Sequence, residues 1–127
     1  MTPKELITQA IEARKRAYTP YSHYKVGAAL LGKSGKVYLG CNVENASYGH
    51  TVCAERTAVL KAVSEGEREF EAIAVVTRNG GSPCGACRQV IREFGKHANC
   101  VSFCDTDERL ETTLEELLPH SFGPEYL

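Results

Sequence analysis

Three cysteines and one glutamate have the types and spacing for metal-assisted hydrolysis. They are Cys53, followed by Ala54 and Glu55, and the pair Cys84 and Cys87 in Pro83-Cys84-Gly85-Ala86-Cys87. Residues three apart share one helix face, so the Cys84 and Cys87 sulfurs can converge on one point beyond a helix start. Cys53 can bring a third sulfur from a neighbouring helix. Helix N-termini carry partial positive charge and unpaired N–H groups, which favour the thiolate, the form of cysteine that binds metal. Thiolate-rich tetrahedral surroundings favour zinc over magnesium or calcium. Three protein ligands leave a fourth position for water, which distinguishes a catalytic zinc from a structural one.

Zinc can bring the pKa of its water to about 7 in favourable sites, but three thiolates return negative charge and weaken that effect. A base is therefore needed, and Glu55 lies two residues beyond Cys53. Inside a regular helix such neighbours point apart, whereas at a helix end they can meet if Cys53 sits outside the first turn. Arg56 follows directly, where a guanidinium can offset thiolate charge. Two other chemistries use the same residues. A closed structural zinc would take Cys41 or His50 as fourth ligand, but such sites usually have two paired clusters and this chain has one Cys-x-x-Cys. A dithiol redox motif at Cys84 and Cys87 leaves Cys53 and Glu55 without a task.

The elements that must position these groups follow from periodicity and capping. Thr2 and Glu5 form a capping box with Pro3 at the first helical position, opening a helix predicted over 3–18 with Leu6, Ile7, Ala10, Ile11 and Ala17 on one stripe. Thr19 to Ser22 make a turn. Strands over 25–31 and 36–41 flank a tight Gly32-Lys33-Ser34-Gly35 connection. A polar loop over 42–51 leads to a second helix over 53–65, with Ala54, Ala58, Val59, Ala62 and Val63 inward and Gly66 as its stop. A buried strand over 70–77, a Gly-rich loop and a third helix from Pro83 or Cys84 to Phe94 follow. Strands over 100–104 and 108–112 precede a short helix that Thr113 and Glu116 cap and Pro119 stops. Cys41, Cys100 and Cys104 then read as small core residues, and His23, His97 and His120 carry no ligand spacing.

The alternation of strands and helices predicts an α/β fold, a three-layer α/β/α sandwich with a mixed sheet opened by one antiparallel hairpin. At 127 residues the chain fits one domain over 1–127. Its 43% hydrophobic and 24% charged residues are those of a globular protein. A net charge of -1 and a pI near 6.4 argue against a polynucleotide partner, which demands concentrated Lys and Arg. The run Arg14-Lys15-Arg16 reads as a solvated helix face. The first residues hold no signal-peptide pattern and no apolar run is long enough for a membrane span, so a cytoplasmic location with reduced cysteines is expected.

Cys53-Ala54-Glu55 with Pro83-Cys84-Gly85-Ala86-Cys87 matches the zinc deaminase signature. Tyr21-Ser22-His23-Tyr24, Val26-Gly27-Ala28-Ala29-Leu30, the stretch from Gly40 to Tyr48, Cys53 to Ala58, Ser82 to Val90 and the end from Glu116 to Pro124 extend the match. Together they resemble the small homotetrameric cytidine deaminases over essentially the whole chain. The resemblance implies the cytidine deaminase-like fold and one zinc per subunit. It also implies hydrolytic deamination of free cytidine and deoxycytidine to the uridines in pyrimidine salvage, with water as co-substrate. Glu55 would then move protons, Asn42 and Glu44 would bind the ribose, Glu44 at its 3′-hydroxyl, and the Ala54 backbone would hold the pyrimidine edge. Phe122 would reach from a neighbouring subunit to stack on the base, with Ala46 and Tyr48 near intersubunit parts of a composite site. Tyr24 stands where the family often has Phe and would also stack on the base. Among deaminases, the acidic balance disfavours a polynucleotide editor, and the segment from Asn42 to Tyr48 favours ribose over a blasticidin-type antibiotic.

Overall fold

In the computed structural model, which describes residues 1–104 and 108–127, helix α1 (Pro3–Arg14) opens on the expected capping box. Thr2 Oγ1 accepts from the Glu5 N–H at 3.2 Å, and the Glu5 carboxylate accepts from the Thr2 N–H at 3.3 Å. Leu6, Ile7, Ala10 and Ala13 are buried, while Ile11 is exposed. The helix stops four residues short of Tyr18 because the chain there is taken by another partner. The Tyr18 N–H donates to the Asn42 carbonyl at 3.0 Å, and Tyr18 bridges Val43 in parallel. Arg14 is not merely solvated, since its Nε donates to the Lys25 carbonyl at 3.0 Å.

Five strands make one sheet: β1 (Gly27–Gly32), β2 (Val37–Cys41), β3 (Phe70–Thr77), β4 (Asn99–Cys104) and β5 (Arg109–Thr113), in the order β2-β1-β3-β4-β5. Among the described residues only β3 and β4 pair in parallel; the other three pairings are antiparallel, including that of β4 with β5. Helices α2 (Ala54–Ser64), α3 (Gly85–Phe94) and the short α4 (Leu114–Leu117) lie on the face opposite α1, with α3 as the crossover between the parallel strands.

The two core clusters sit on opposite faces of this sheet. Leu6, Ile7 and Ala10 pack on Ala29, Leu31, Ala74 and Val76, whereas Ala58, Val59 and Ala62 pack with Ala28, Leu30, Ile73 and Val75. Residues 74 and 76 therefore face α1 and residue 75 faces α2, as the two-residue strand period requires. Cys100 is buried, Cys41 is half-buried, and the side chain of Cys104 lies outside the described residues. Two glycines set how closely the helices approach. A Cβ on Gly27 would stand 2.1 Å from the Ala10 carbonyl oxygen, and one on Gly40 would stand 2.4 Å from that of Ala54. The second of these contacts seats the N-terminus of α2 against β2.

Candidate active site

Cys53 is the N-cap of α2, with extended backbone (φ -69°, ψ 153°), so it stands outside the first turn while Ala54 and Glu55 stand within it. Cys84 is likewise the N-cap of α3, and its sulfur accepts from the Cys87 N–H at 3.4 Å. Two helix starts thus bring Cys53, Cys84 and Cys87 together, their sulfurs all within 4.8 Å of one another. The Cys84 and Cys87 sulfurs are 3.3 Å apart and unbonded. Three sulfurs about 2.3 Å from one tetrahedral zinc would stand about 3.7 Å apart, so spacing and donor chemistry both suit that metal. Among the described residues, the group includes neither Cys41 nor His50.

The electrostatics of the group are those of a metal site. A hydrogen bond from Cys87, with help from Arg56, brings the Cys53 thiol down to about 5 despite its partial burial. That same hydrogen bond and burial push Cys87 up. Arg56 Nη2 lies 3.4 Å from the Cys53 sulfur and donates to the Thr51 carbonyl at 3.4 Å, beside the cluster as its sequence position suggests. Glu55 is 5% exposed, and burial, reinforced by the charge on Cys53, pushes its carboxyl up to about 7.

A cavity of about 210 Å³ opens on Cys53, Ala54, Glu55 and Cys84. Tyr24 and Asn42 also line it, and so do Val26, Thr51, Val75, Thr77, Gly81 and Ser82, which the sequence does not single out. Thr51 and Ser82 adjoin the cysteine motifs, and Thr77 ends a strand of the parallel pair, where α/β sheets usually bind ligands. These positions were therefore open to inference.

Asn42 is buried and ties the walls together. Its Oδ1 accepts from the Val26 N–H at 2.9 Å, and its Nδ2 donates to the Tyr24 carbonyl at 2.8 Å. Glu44 lies in an adjoining recess with Tyr21, Ser22, Tyr48 and Thr51. Its carboxylate accepts from the Tyr21 and Ser22 N–H groups at 3.0 and 3.1 Å and from the Ser22 hydroxyl; that last bond chiefly holds it below the usual carboxylate range. Ala46, Tyr48 and Phe122 are exposed and do not line the main cavity of their own chain. Phe122 stacks on Tyr126 at 5.7 Å, and Gln89 holds its carbonyl at 3.0 Å.

Comparison with known proteins bears on this geometry. A family model described as the cytidine and deoxycytidylate deaminase zinc-binding region matches residues 1–104. A cytidine deaminase of Sporosarcina psychrophila is 50% identical over 130 residues, covering 100% of this chain and 96% of its own. One from Halalkalibacterium halodurans is 52% identical over 128 residues, covering 98% and 97%. The crystal structure of cytidine deaminase from Burkholderia pseudomallei superposes with a TM-score of 0.92 at 50% identity, covering 96% of this chain and 100% of that one. That of Mycobacterium tuberculosis gives 0.84 at 40% identity, covering 97% and 98%.

Proposed function

The chain belongs to the cytidine and deoxycytidylate deaminase family, and from that premise we propose that it hydrolyses the 4-amino group of free cytidine and deoxycytidine to give uridine, deoxyuridine and ammonia. The observation that carries this reading is a three-sulfur group, of which Cys53 and Cys84 line one cavity together with the buried carboxyl of Glu55. Zinc held by Cys53, Cys84 and Cys87 would supply Lewis acidity toward water. Glu55 takes a proton from the water that adds to C4 of the cytosine ring and gives one to N3. It then carries the proton of the new C4 hydroxyl to the amino nitrogen, which leaves as ammonia as the uridine carbonyl forms. A carboxyl that exchanges its proton near neutrality suits both directions of transfer. Arg56 offsets the thiolate charge, and the Ala54 backbone holds the pyrimidine edge.

The ribose falls to Asn42 and Glu44. Asn42 keeps one N–H and one acceptor site beyond its two internal bonds. Glu44 uses three of its acceptor sites on the turn at Tyr21 and Ser22, which leaves one for the 3′-hydroxyl. Tyr24 stacks on the base from within the chain. The exposed Phe122, Ala46 and Tyr48 fit the further proposal of a homotetramer with composite sites, in which Phe122 of one copy covers the base bound by another. Residues 1–127 act as one domain, since both core clusters share one sheet. Cytoplasmic pyrimidine salvage suits thiol ligands that must stay reduced to hold metal.

The decisive test is Glu55→Gln. The variant keeps its fold and about one zinc per chain, while cytidine turnover, followed by ultraviolet absorbance, falls by about 10³-fold. Near-normal turnover in that variant would refute the proton-transfer role.

A further inference from the structure

Tyr24 does more than present a ring to the cavity. Its hydroxyl donates to Asn79 Oδ1 at 2.6 Å, across a sequence separation of 55 residues. The same Oδ1 accepts from the Thr77 hydroxyl at 3.3 Å, and Thr77 Oγ1 in turn accepts from the Gly81 N–H at 2.9 Å. The Arg78 guanidinium lies 5.1 Å from the centre of the Tyr24 ring, a cation–π contact on the same loop. Gly81 is so near that a Cβ there would meet the Tyr24 oxygen at 3.2 Å.

Tyr24 is itself held from the other wall. Its N–H donates to Ser22 Oγ at 3.0 Å, and that hydroxyl donates to Glu44. Its carbonyl accepts from Asn42. The residue before it, His23, has a left-handed backbone (φ 56°), a conformation unfavourable for a non-glycine residue and retained where the surroundings over-determine it. One connected network therefore runs from Glu44 through Ser22, Tyr24 and Asn79 to Thr77 and Gly81. The far end of the loop is fastened separately, since Arg88 donates to the Pro83 carbonyl at 2.7 Å and to Ser82 Oγ at 3.0 Å. Gly81 and Ser82, where the two fastenings meet, line the cavity just before Cys84.

We propose that the Tyr24 hydroxyl, acting through Asn79, is a positioning group that fastens the loop over residues 78–82 as a wall of the nucleoside cavity. Phenylalanine would preserve the ring but not this fastening. The kinetic part rests on the deaminase reading; the structural part does not. A fastened wall lowers the ordering that substrate must otherwise impose on binding, so its loss acts on KM more than on kcat.

The test uses the full-length, zinc-loaded protein as wild type, Tyr24→Phe, Asn79→Ala and the double variant. Amide hydrogen exchange over 78–82 is expected to speed up about tenfold in each single variant, with α2 and β3 unchanged. KM for cytidine is expected to rise about three- to tenfold, with kcat within about twofold and zinc content unchanged. The double variant is expected to be no worse than Asn79→Ala alone, because that change already removes the acceptor of the Tyr24 hydroxyl. Unchanged exchange over 78–82, single effects that multiply, or a loss of protection spread equally over α2 and β3 would each overturn the proposal. Faster exchange in a protein whose wild type does not turn over cytidine would sink the deaminase reading and leave the fastening intact.

Discussion

The two ends of the cavity are built by different means. At the metal end, or floor, Cys53, Glu55, Cys84 and the Cys87 that completes their sulfur group stand at or just inside the starts of two helices packed on a buried sheet. Their positions follow from backbone geometry that the core holds rigid. At the mouth, Tyr24, Asn42, Glu44 and the loop over 78–82 are irregular chain, fixed by side-chain hydrogen bonds. Chemistry that tolerates little displacement rests on the rigid elements, and recognition rests on loops that can be refastened with little cost to the fold.

If that division holds, damage at the floor should remove metal and turnover together. Cys87 is the buried member of the triad, and its loss leaves two thiols of which one, Cys84, is exposed. Cys87→Ala is expected to purify without stoichiometric zinc and to show no measurable deamination of cytidine. Metal analysis beside the ultraviolet assay checks this, and retained zinc would mean that the ligand set is drawn wrongly. Damage at the mouth should separate the two readouts. Glu44→Ala is expected to keep its zinc while kcat/KM for cytidine falls about 100-fold, the scale of a lost hydrogen bond to a charged group and of the binding energy that positions the ring. Unchanged kinetics in that variant would end the ribose assignment.

The same division governs what was legible in the sequence. The three-residue spacing of Cys84 and Cys87, and a cysteine followed by a carboxylate at a helix start, are local patterns with one geometric consequence, so the floor could be read without coordinates. The end of α1 could not. Helical periodicity continues to Ala17, but the pairing of Tyr18 with Val43, distant in sequence, overrides it. The bond from Tyr24 to Asn79 has no local signature either, since it exists only because β1 and β3 are neighbours. Val75 and Thr77 were read as buried strand, and only the packing of α2 turns them into cavity wall. Phe122, Ala46 and Tyr48 do not line the main cavity of their own chain, so the roles that the family resemblance implies for them have no counterpart in one chain's folding.

The smallest expected effect tests whether a third region stands outside both ends. The capping box of α1 lies on the far face of the sheet, where Leu6, Ile7 and Ala10 meet Ala74 and Val76. Val75 and Thr77, the intervening positions of β3, line the cavity. The end of α1 that meets Lys25 lies away from the cap, so strain from Thr2 would have to cross the sheet, most directly along β3, which is hydrogen-bonded on both sides, to β1 and to β4. Thr2→Ala removes the acceptor for the Glu5 N–H and is expected to lower stability by about 1 kcal/mol, a fall in Tm of about 4 °C. Its kcat/KM for cytidine should stay within about 1.5-fold of wild type, because a loss confined to a helix cap is screened by a rigid sheet. Thermal denaturation and steady-state kinetics on one preparation decide it. A kinetic loss as large as that of Tyr24→Phe would mean that β3 transmits strain from face to face, and the separation of scaffold from site would have to be redrawn along that strand.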